Sequence, residues 1–348
     1  MNNKYLFCIV LLSFCFASCK SISSDVSQKC TLVFKALEKE ITADIYRPID
    51  DCYNASYISD RLLIKPNKSV SYELDVSRFA FVKCQFSNGK DRVLLLEPGD
   101  CIEISCTPQA TTLSGSNAEG QNYYKSINLS SYMDIIAQHL TKVPIDYDSI
   151  FYYFQQELVV PYQLALEKME ASGSVTPTFS SILAKDLHFA CCAALQITYN
   201  QWITFKRNDY LIKDFKPCEE DIHNMLLQLS QLYETPYALE DDSKKMPHNF
   251  ISEYYVSKYN YLDDEAKEKL MHTEGYDKDC GYPYLLLASD NLQLRYFGEA
   301  LLYAVQSKTS SINKEKLLIF LSGKFTDSEY VAIIEDMMIQ QKSSKPKK

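Results

Sequence analysis

The sequence predicts an α+β protein in which an N-terminal antiparallel β-sandwich precedes an all-helical domain. Over residues 30–116, short apolar runs alternate with turn residues at regular spacing, which is typical of a sandwich. Over residues 117–341, apolar residues recur every three or four positions, which is typical of amphipathic helices. A chain of 348 residues is long enough for about two such domains.

The first residues predict an exported lipoprotein. An apolar run over residues 5–16 is too short for a membrane-spanning helix but fits the core of a signal peptide. Two small residues before Cys19 resemble the bacterial lipobox, although Phe16 stands where leucine is usual. This resemblance implies removal of residues 1–18 and diacylation of the Cys19 sulfur. The alternative is an ordinary signal peptide cut nearby, with Cys19 incidental.

Lipidation at Cys19 would make the lipid bilayer a partner and place the protein in the cell envelope, with the outer membrane as the expected location. Two or three acyl chains hold a protein on a membrane almost irreversibly. Residues 19–29 would then form a tether between the anchor and the sandwich.

The strands of the sandwich are predicted from short apolar runs bounded by turn residues. Asn88 and Gly89 favour a two-residue hairpin turn with positive φ angles. Pro98 and Gly99 favour a type II turn, with Gly99 in the left-handed position. The predicted strands are Thr31–Ala36, Ala43–Tyr46, Arg61–Ile64, Ser69–Leu74, Phe79–Phe86, Val93–Leu96 and Cys101–Cys106.

The helical domain begins with residues at helical spacing between Phe151 and Met169, where Pro161 predicts a kink. Thr176 then caps a helix that starts at Pro177 and has apolar residues on two faces, so it should be buried on most sides. The last helix is expected to begin with a capping box, Thr326–Glu329, and a staple between Phe325 and Tyr330. Further helices are expected at Glu219–Tyr233, Asn249–Leu262 and Leu285–Gln306.

The charge and cysteine content exclude some classes of function. A formal charge of -9 repels phosphate backbones, so nucleic acid is not an expected partner. The basic residues of the 342–348 tail are read as a solvated terminus. No Cys-x-x-Cys occurs, which excludes a thioredoxin-type centre. The odd number of cysteines left after processing and lipidation does not make a complete disulfide framework, and most are read as buried apolar residues: Cys30, Cys52, Cys84, Cys101, Cys106, Cys191, Cys192, Cys218 and Cys280.

One stretch resembles a known family. The segment Leu94–Tyr124 contains Glu97-Pro-Gly-Asp100, then Leu113-Ser-Gly-Ser-Asn117, then Asn122-Tyr-Tyr124. It is similar to the N-terminal half of Bacteroidetes lipoproteins of the TlpA-like thiol–disulfide interchange family. In that family a β-domain of unknown function and a helical segment precede a thioredoxin-like domain. The resemblance implies that this chain has the accessory parts and lacks the redox domain, so no catalytic cysteine carries over.

Local motifs suggest few sites. His188 and Cys192 have the spacing of two metal ligands on a helix, but core packing is favoured because no further ligands are evident. Asp277–Gly281 begins like a calcium loop without its third carboxylate and is rejected. Ser311 and Lys314 match a penicillin-binding pattern without its partner motifs. Asp148-Ser-Ile150 matches an O-glycosylation signal at Ser149, and the alternative is a helix N-cap at Asp148 or Ser149.

These patterns lead to a non-catalytic envelope lipoprotein that binds a ligand or an envelope protein partner, with no metal, cofactor or enzymatic site expected. One alternative is thiol–disulfide exchange through a lone reactive cysteine. Another is glycan binding, because tyrosines are dense between Tyr233 and Tyr284 and exposed aromatic rings stack on sugars. The chain has one tryptophan, Trp202, in the helix predicted to be buried.

Replacement of Cys19 by serine tests the anchor. We expect Cys19→Ser to leave an unprocessed or soluble protein, because no second apolar span follows to hold it. Metabolic labelling with a fatty acid and membrane fractionation measure both effects. Acylation of the variant would contradict the assignment.

Overall fold

A computed structural model describes residues 28–55, 58–127, 129–140, 147–208, 241–248, 252–260, 262–307 and 310–343, with short stretches at 228–229 and 232. The described N-terminal part is a pair of four-stranded sheets, and the part that follows is helical. The predicted α+β class is therefore confirmed. Within the described residues, no helix is both long enough and apolar enough to cross a membrane.

The sandwich contains all seven predicted strands and one more. Gln28 and Lys29, assigned to the tether, instead pair with the fourth strand. The strands are β1 (Gln28–Ala36), β2 (Ile41–Tyr46), β3 (Asp60–Ile64), β4 (Lys68–Val76), β5 (Ala80–Phe86), β6 (Arg92–Leu96), β7 (Cys101–Cys106) and β8 (Thr111–Gly115). No sequence pattern predicts β8, because Thr111–Gly115 carries one large apolar residue and ends in serine and glycine.

The strand order is β4-β1-β7-β8 in one sheet and β3-β2-β5-β6 in the other. Neighbouring strands are antiparallel, as predicted, except β1 and β7, which run parallel. Inward residues of both sheets form one apolar cluster, in which the rings of Phe34 and Phe86 lie 6.1 Å apart. In β7, Ile102 and Ile104 point into this cluster, as their alternation predicts.

The two predicted turns have different outcomes. Gly99 has φ 84° and the Asp100 N–H donates to the Glu97 carbonyl at 3.1 Å, so the type II turn is confirmed. At the other turn Gly89 alone has positive φ, 69°, so the two-residue primed turn was wrong. Asn88 does not have the positive φ that such a turn needs, and its side chain instead donates to the Thr107 carbonyl at 2.7 Å.

The helical region follows the sandwich, and most of the predicted helix at Glu219–Tyr233 lies outside the described residues. The described helices are α1 (Ala118–Ser126), α2 (Leu129–Leu140), α3 (Tyr147–Tyr153), α4 (Val160–Ala171), α5 (Pro177–Asn208), α6 (Ser252–Asn260), α7 (Asp264–Met271), α8 (Asp290–Gln306), α9 (Lys314–Lys324) and α10 (Glu329–Ser343). Short 3₁₀ turns occupy Asp241–Lys245, Lys278–Cys280 and Pro283–Leu287.

Proline shapes the helical region twice. Before Pro161 the backbone widens into a π-helix over Phe154–Val159, which accommodates the missing N–H in place of a simple kink. Pro177 opens α5, and the Thr176 hydroxyl accepts from the Phe179 N–H at 3.0 Å, so that cap is confirmed. Over residues 177–199, where its side chains are described, helix α5 is buried on most sides, as its two apolar faces predict.

The capping box predicted at Thr326 was wrong, because α10 begins at Glu329. Its cap comes from the sandwich domain. The Asp50 carboxylate accepts from the Glu329 N–H at 2.8 Å and the Tyr330 N–H at 3.0 Å, and from the Ser328 hydroxyl at 2.6 Å. This contact between residues 278 positions apart adds to a local one, in which the Ser328 hydroxyl accepts from the Val331 N–H at 3.4 Å.

The stretch that resembles a known family forms the junction between sandwich and helices. The Gln121 side chain bonds both the N–H and the carbonyl of Leu95 on the edge strand β6. The Glu97 carboxylate accepts from Asn117 at 2.8 Å and from Thr176 at 2.5 Å. These hydrogen bonds attach α1 and the start of α5 to the sandwich, which gives this stretch a structural role.

The cap on α10 can be tested with Asp50→Ala, which we expect to lower the free energy of unfolding by about 2 kcal/mol because two helix N–H groups lose their acceptor. Thr326→Ala is the matched control. It removes the cap that the sequence suggests, and we expect it to cost less than about 0.5 kcal/mol. Chemical denaturation compares the two variants. Equal losses would show that Asp50 does not cap the helix.

Candidate functional site

A buried polar cluster lies where the sandwich meets the helices. Asp186 on α5 has no solvent exposure, and its carboxylate accepts from the Tyr124 hydroxyl at 2.5 Å. The same carboxylate accepts from the His248 ring Nδ1 at 2.7 Å and from the His248 backbone N–H at 2.9 Å. A quarter of the His248 side chain remains exposed. The cluster therefore joins a fully buried acid to a histidine that reaches the surface.

Residues 241–248 place His248 in this cluster. The Arg295 guanidinium on α8 donates to the carbonyls of Lys244 at 3.0 Å and Met246 at 2.8 Å. Arg78, beside β5, forms an ion pair with Asp242 at 2.9 Å. The segment is thus fixed to both the sandwich and the helical region before the chain reaches His248.

The environment shifts the ionisation of two cluster members. Burial alone would lower the pKa of His248, but the charge of Asp186 and its hydrogen bond outweigh burial, so the pKa is raised. Burial and the Asp186 charge together raise the pKa of Tyr124 well above its usual value. His248 therefore keeps its ring proton to a higher pH than an ordinary histidine, and Tyr124 keeps its hydroxyl proton.

His248 and Tyr124 also line a pocket of about 220 Å³. Its walls come from strands β5 and β6, from α1 and from residue 248, and they combine apolar and charged side chains. The lining residues are Lys83, Asp91, Arg92, Val93, Tyr124, Lys125, Ile127 and His248. In a chain with net charge -9, this pocket concentrates positive charge.

The three basic side chains of the pocket make no ion pair within the described part of the chain. Arg92 is 3% exposed; it donates only to backbone carbonyls, including that of Thr111, and its Nε has no partner. Lys83 donates to the Ala55 carbonyl at 2.9 Å. The pKa of Lys125 is lowered by desolvation and by the positive charges of Arg92 and Lys90. An anion in the pocket would offset this mutual repulsion.

Asp91 is the acidic residue of the lining, and its Oδ1 accepts from the Phe86 N–H at 3.2 Å. Val93 and Ile127 give the pocket an apolar side. Among the described residues, the lining contains no serine, threonine or cysteine. The described lining therefore combines positive charge, one carboxylate and an apolar side.

A larger cleft, of about 580 Å³, lies between β4 and the start of α10, and carboxylates line much of it. Its main acids already have partners in the fold. Asp50 caps α10, Glu329 pairs with Arg47 at 2.6 Å, and Asp60 accepts from the Tyr72 hydroxyl at 2.5 Å. The acids of this cleft therefore stabilise the fold, and two of them join the sandwich to α10.

The motifs considered from sequence do not assemble a site among the described residues. His188 Nε2 lies 3.0 Å from the Leu232 carbonyl, and Cys192 Sγ donates to the same oxygen at 3.7 Å, so both are packed in the core. No group of three or more His, Cys, Asp or Glu side chains in the described structure is arranged to hold a metal ion. In the segment that begins like a calcium loop, both carboxylates pair with Lys316, whose Nζ lies 2.8 Å from Asp277 Oδ2 and 2.7 Å from Asp279 Oδ2.

The modification sites stay predictions. Cys19 lies outside the described residues. Ser149 lies in the first turn of α3 and is half-buried, beside the buried Ile150. The N-cap alternative was wrong, because α3 already begins at Tyr147. Lys314 Nζ, from the penicillin-binding pattern, donates to the Ser307 carbonyl at 3.4 Å.

The cysteines are free thiols and, apart from Cys101, buried wherever they are described. Cys218 lies outside the described residues. Burial raises the pKa of Cys52 to about 12 and also raises that of Cys191. The core role is therefore confirmed for the buried set, Cys30, Cys52, Cys84, Cys106, Cys191, Cys192 and Cys280. Cys101 is the exposed cysteine among those described, so thiol–disulfide exchange by a described cysteine would use its thiol.

The tyrosine-rich part does not form a single exposed aromatic surface in the described residues. Tyr255 and Tyr276 are buried, whereas Tyr282 is exposed and its ring lies 6.0 Å from that of Tyr284. The side chain of Trp202 is outside the described set. Among the described residues, the pair of Tyr282 and Tyr284 is therefore what supports glycan binding.

Local sequence patterns do not identify Asp186, His248 and the three basic residues as a site. One signal was present: Asp186 lies three residues after Leu183, on an apolar face of a helix expected to be buried, where an acid requires a partner. Arg92 likewise begins a strand of apolar residues. His248 had no local signal, because residues distant in sequence create its environment.

Comparison of the sequence with known protein families gives no match, and comparison with curated proteins finds none either.

The ion pair between His248 and Asp186 should make stability depend on pH. Because the folded pKa of His248 is raised, its contribution is fully present below about pH 6.5, the ordinary value. The contribution is lost as pH rises through the folded pKa. We expect His248→Gln to lower the free energy of unfolding by about 2 kcal/mol at pH 5.5, and by less at pH 9.

Denaturant titrations at the two pH values measure this difference. His272→Gln is the control, since His272 is exposed at the end of α7, and its effect should be small at both values. A His248→Gln effect that grows with pH would reverse the assigned sign.

Proposed function

We propose that this protein is a non-catalytic cell-envelope lipoprotein that binds a small anionic ligand in the pocket beside His248. The observation that carries the proposal is the convergence of Lys83, Arg92 and Lys125, none of which makes an ion pair within the described structure, on one pocket of an acidic protein. Placing like charges together is costly, and the one carboxylate of the described lining, Asp91, offsets only part of that charge. A bound anion offsets that cost.

A binding role is favoured over catalysis by the state of the polar cluster. A histidine–carboxylate pair can serve a nucleophile, but the residues described in the pocket lining include no serine, threonine or cysteine. The Tyr124 hydroxyl already donates to Asp186, and its raised pKa makes it a poor base at neutral pH. These features support recognition of charge.

The membrane attachment rests on the signal sequence. Acylation of Cys19 would hold the protein on the outer membrane through the 20–27 stretch, since β1 starts at Gln28. The resemblance of Leu94–Tyr124 to the accessory part of TlpA-like lipoproteins supports a non-redox role. In this proposal the sandwich and helices together present the pocket.

Analysis of co-purified small molecules tests the function. Full-length wild type and Lys125→Glu are purified from membranes in detergent, denatured, and their extracts compared by mass spectrometry. We expect an anionic compound in the wild-type extract and its loss from the variant, because the exposed Lys125 can change charge without disturbing the core. Lys168→Glu, an exposed change on α4, should keep the compound.

Equal extracts from the wild type and Lys125→Glu would contradict the pocket as the binding site. Conversion of the compound during incubation with the wild type would contradict the non-catalytic role.

A further inference from the structure

We propose that the ligand is a small carboxylate with an apolar body, and that it binds while His248 is protonated. This inference rests on the proposed function and specifies the ligand class and its regulation.

The size and lining of the pocket limit what can enter. Its volume of about 220 Å³ is below the ~300–1,000 Å³ typical of drug-sized ligands. Val93, Ile127 and the Tyr124 ring provide an apolar side, which a hydrocarbon group can cover. The basic residues, His248 and the carboxylate of Asp91 make up the rest of the lining. A molecule with one anionic end and a short apolar body matches both parts.

The apolar side of the pocket favours an organic carboxylate over inorganic phosphate. A free arginine fork would bind either anion through two N–H groups, so Arg92 does not discriminate between them. Here Nη1 of Arg92 donates to the carbonyls of Lys90 and Asp91, and Nη2 donates to that of Thr111. Arg92 therefore contributes positive charge near the pocket, because its terminal N–H groups already donate to backbone carbonyls. Inorganic phosphate also has no group to cover Val93 and Ile127.

The protonation state of His248 sets the charge beside the pocket. Asp186 on α5 and Tyr124 on α1 contact the histidine directly, and the charged residues of the pocket wall are Lys83, Asp91, Arg92 and Lys125. A protonated His248 balances the Asp186 carboxylate. When His248 loses its proton, the negative charge of Asp186 is uncompensated and disfavours an anion nearby. Binding should therefore weaken as pH rises.

The test is a calorimetric titration of the full-length protein in detergent at pH 6.0 and pH 8.5. The probes are benzoate, its uncharged counterpart benzamide, and inorganic phosphate. We expect benzoate to bind at pH 6.0 at least about tenfold more tightly than benzamide or phosphate, and about fivefold or more weakly at pH 8.5 than at pH 6.0.

Variants separate the contributions of charge and protonation. Lys125→Gln should weaken benzoate binding about fivefold at both pH values, because one cation is lost. His248→Gln should remove most of the pH dependence between 6.0 and 8.5, and circular dichroism checks that it is folded. Lys168→Gln, distant in sequence on α4 and exposed, should leave the titration unchanged.

The outcomes distinguish this inference from the function on which it rests. Phosphate binding that Lys125→Gln weakens, without benzoate binding, would overturn the carboxylate and keep an anion site. Equal binding of benzoate and benzamide, insensitive to Lys125→Gln, would contradict both. Benzoate binding with the same affinity at both pH values would overturn the role of His248 protonation.

Discussion

The buried carboxylate of Asp186 is the interaction on which the candidate site and much of the junction depend. With no exposure to solvent, it relies on the Tyr124 hydroxyl and on two donors from His248. A buried charge without such partners would be costly. Its three bonds fix α1, α5 and residue 248 relative to one another. The same bonds place His248 and the Tyr124 ring in the pocket wall.

The site and the junction therefore share their structural elements. Helix α1 contributes Lys125 to the pocket, and through Gln121 it also covers the backbone of edge strand β6. The β5–β6 sheet is buried on both faces, since Leu94 packs inside the sandwich and Leu95 packs against the helices. This explains the continuous apolar run of β6. The pocket opens where that covered sheet ends at Arg92.

Sequence patterns predicted those features that depend on residues close together in the chain. The Gly99 turn follows from the φ angles of Pro98 and Gly99, and the strand alternation follows from burial of one face. The start of α10 could not be predicted in this way, because Asp50 caps it from 279 residues away. The candidate site could not be predicted either, because its residues are also far apart in sequence. Asp186 and His248 are 62 residues apart, and local periodicity carries no information about that contact.

The central claim is that Asp186 holds His248 as a cation at the wall of an anion-binding pocket. The most direct measurement is an NMR titration of the His248 ring in wild type and in Asp186→Asn. The account predicts a His248 pKa above about 6.5 in the wild type and a fall toward or below that value in the variant, since burial alone lowers it. A wild-type pKa at or below 6.5, unchanged in the variant, would contradict the account.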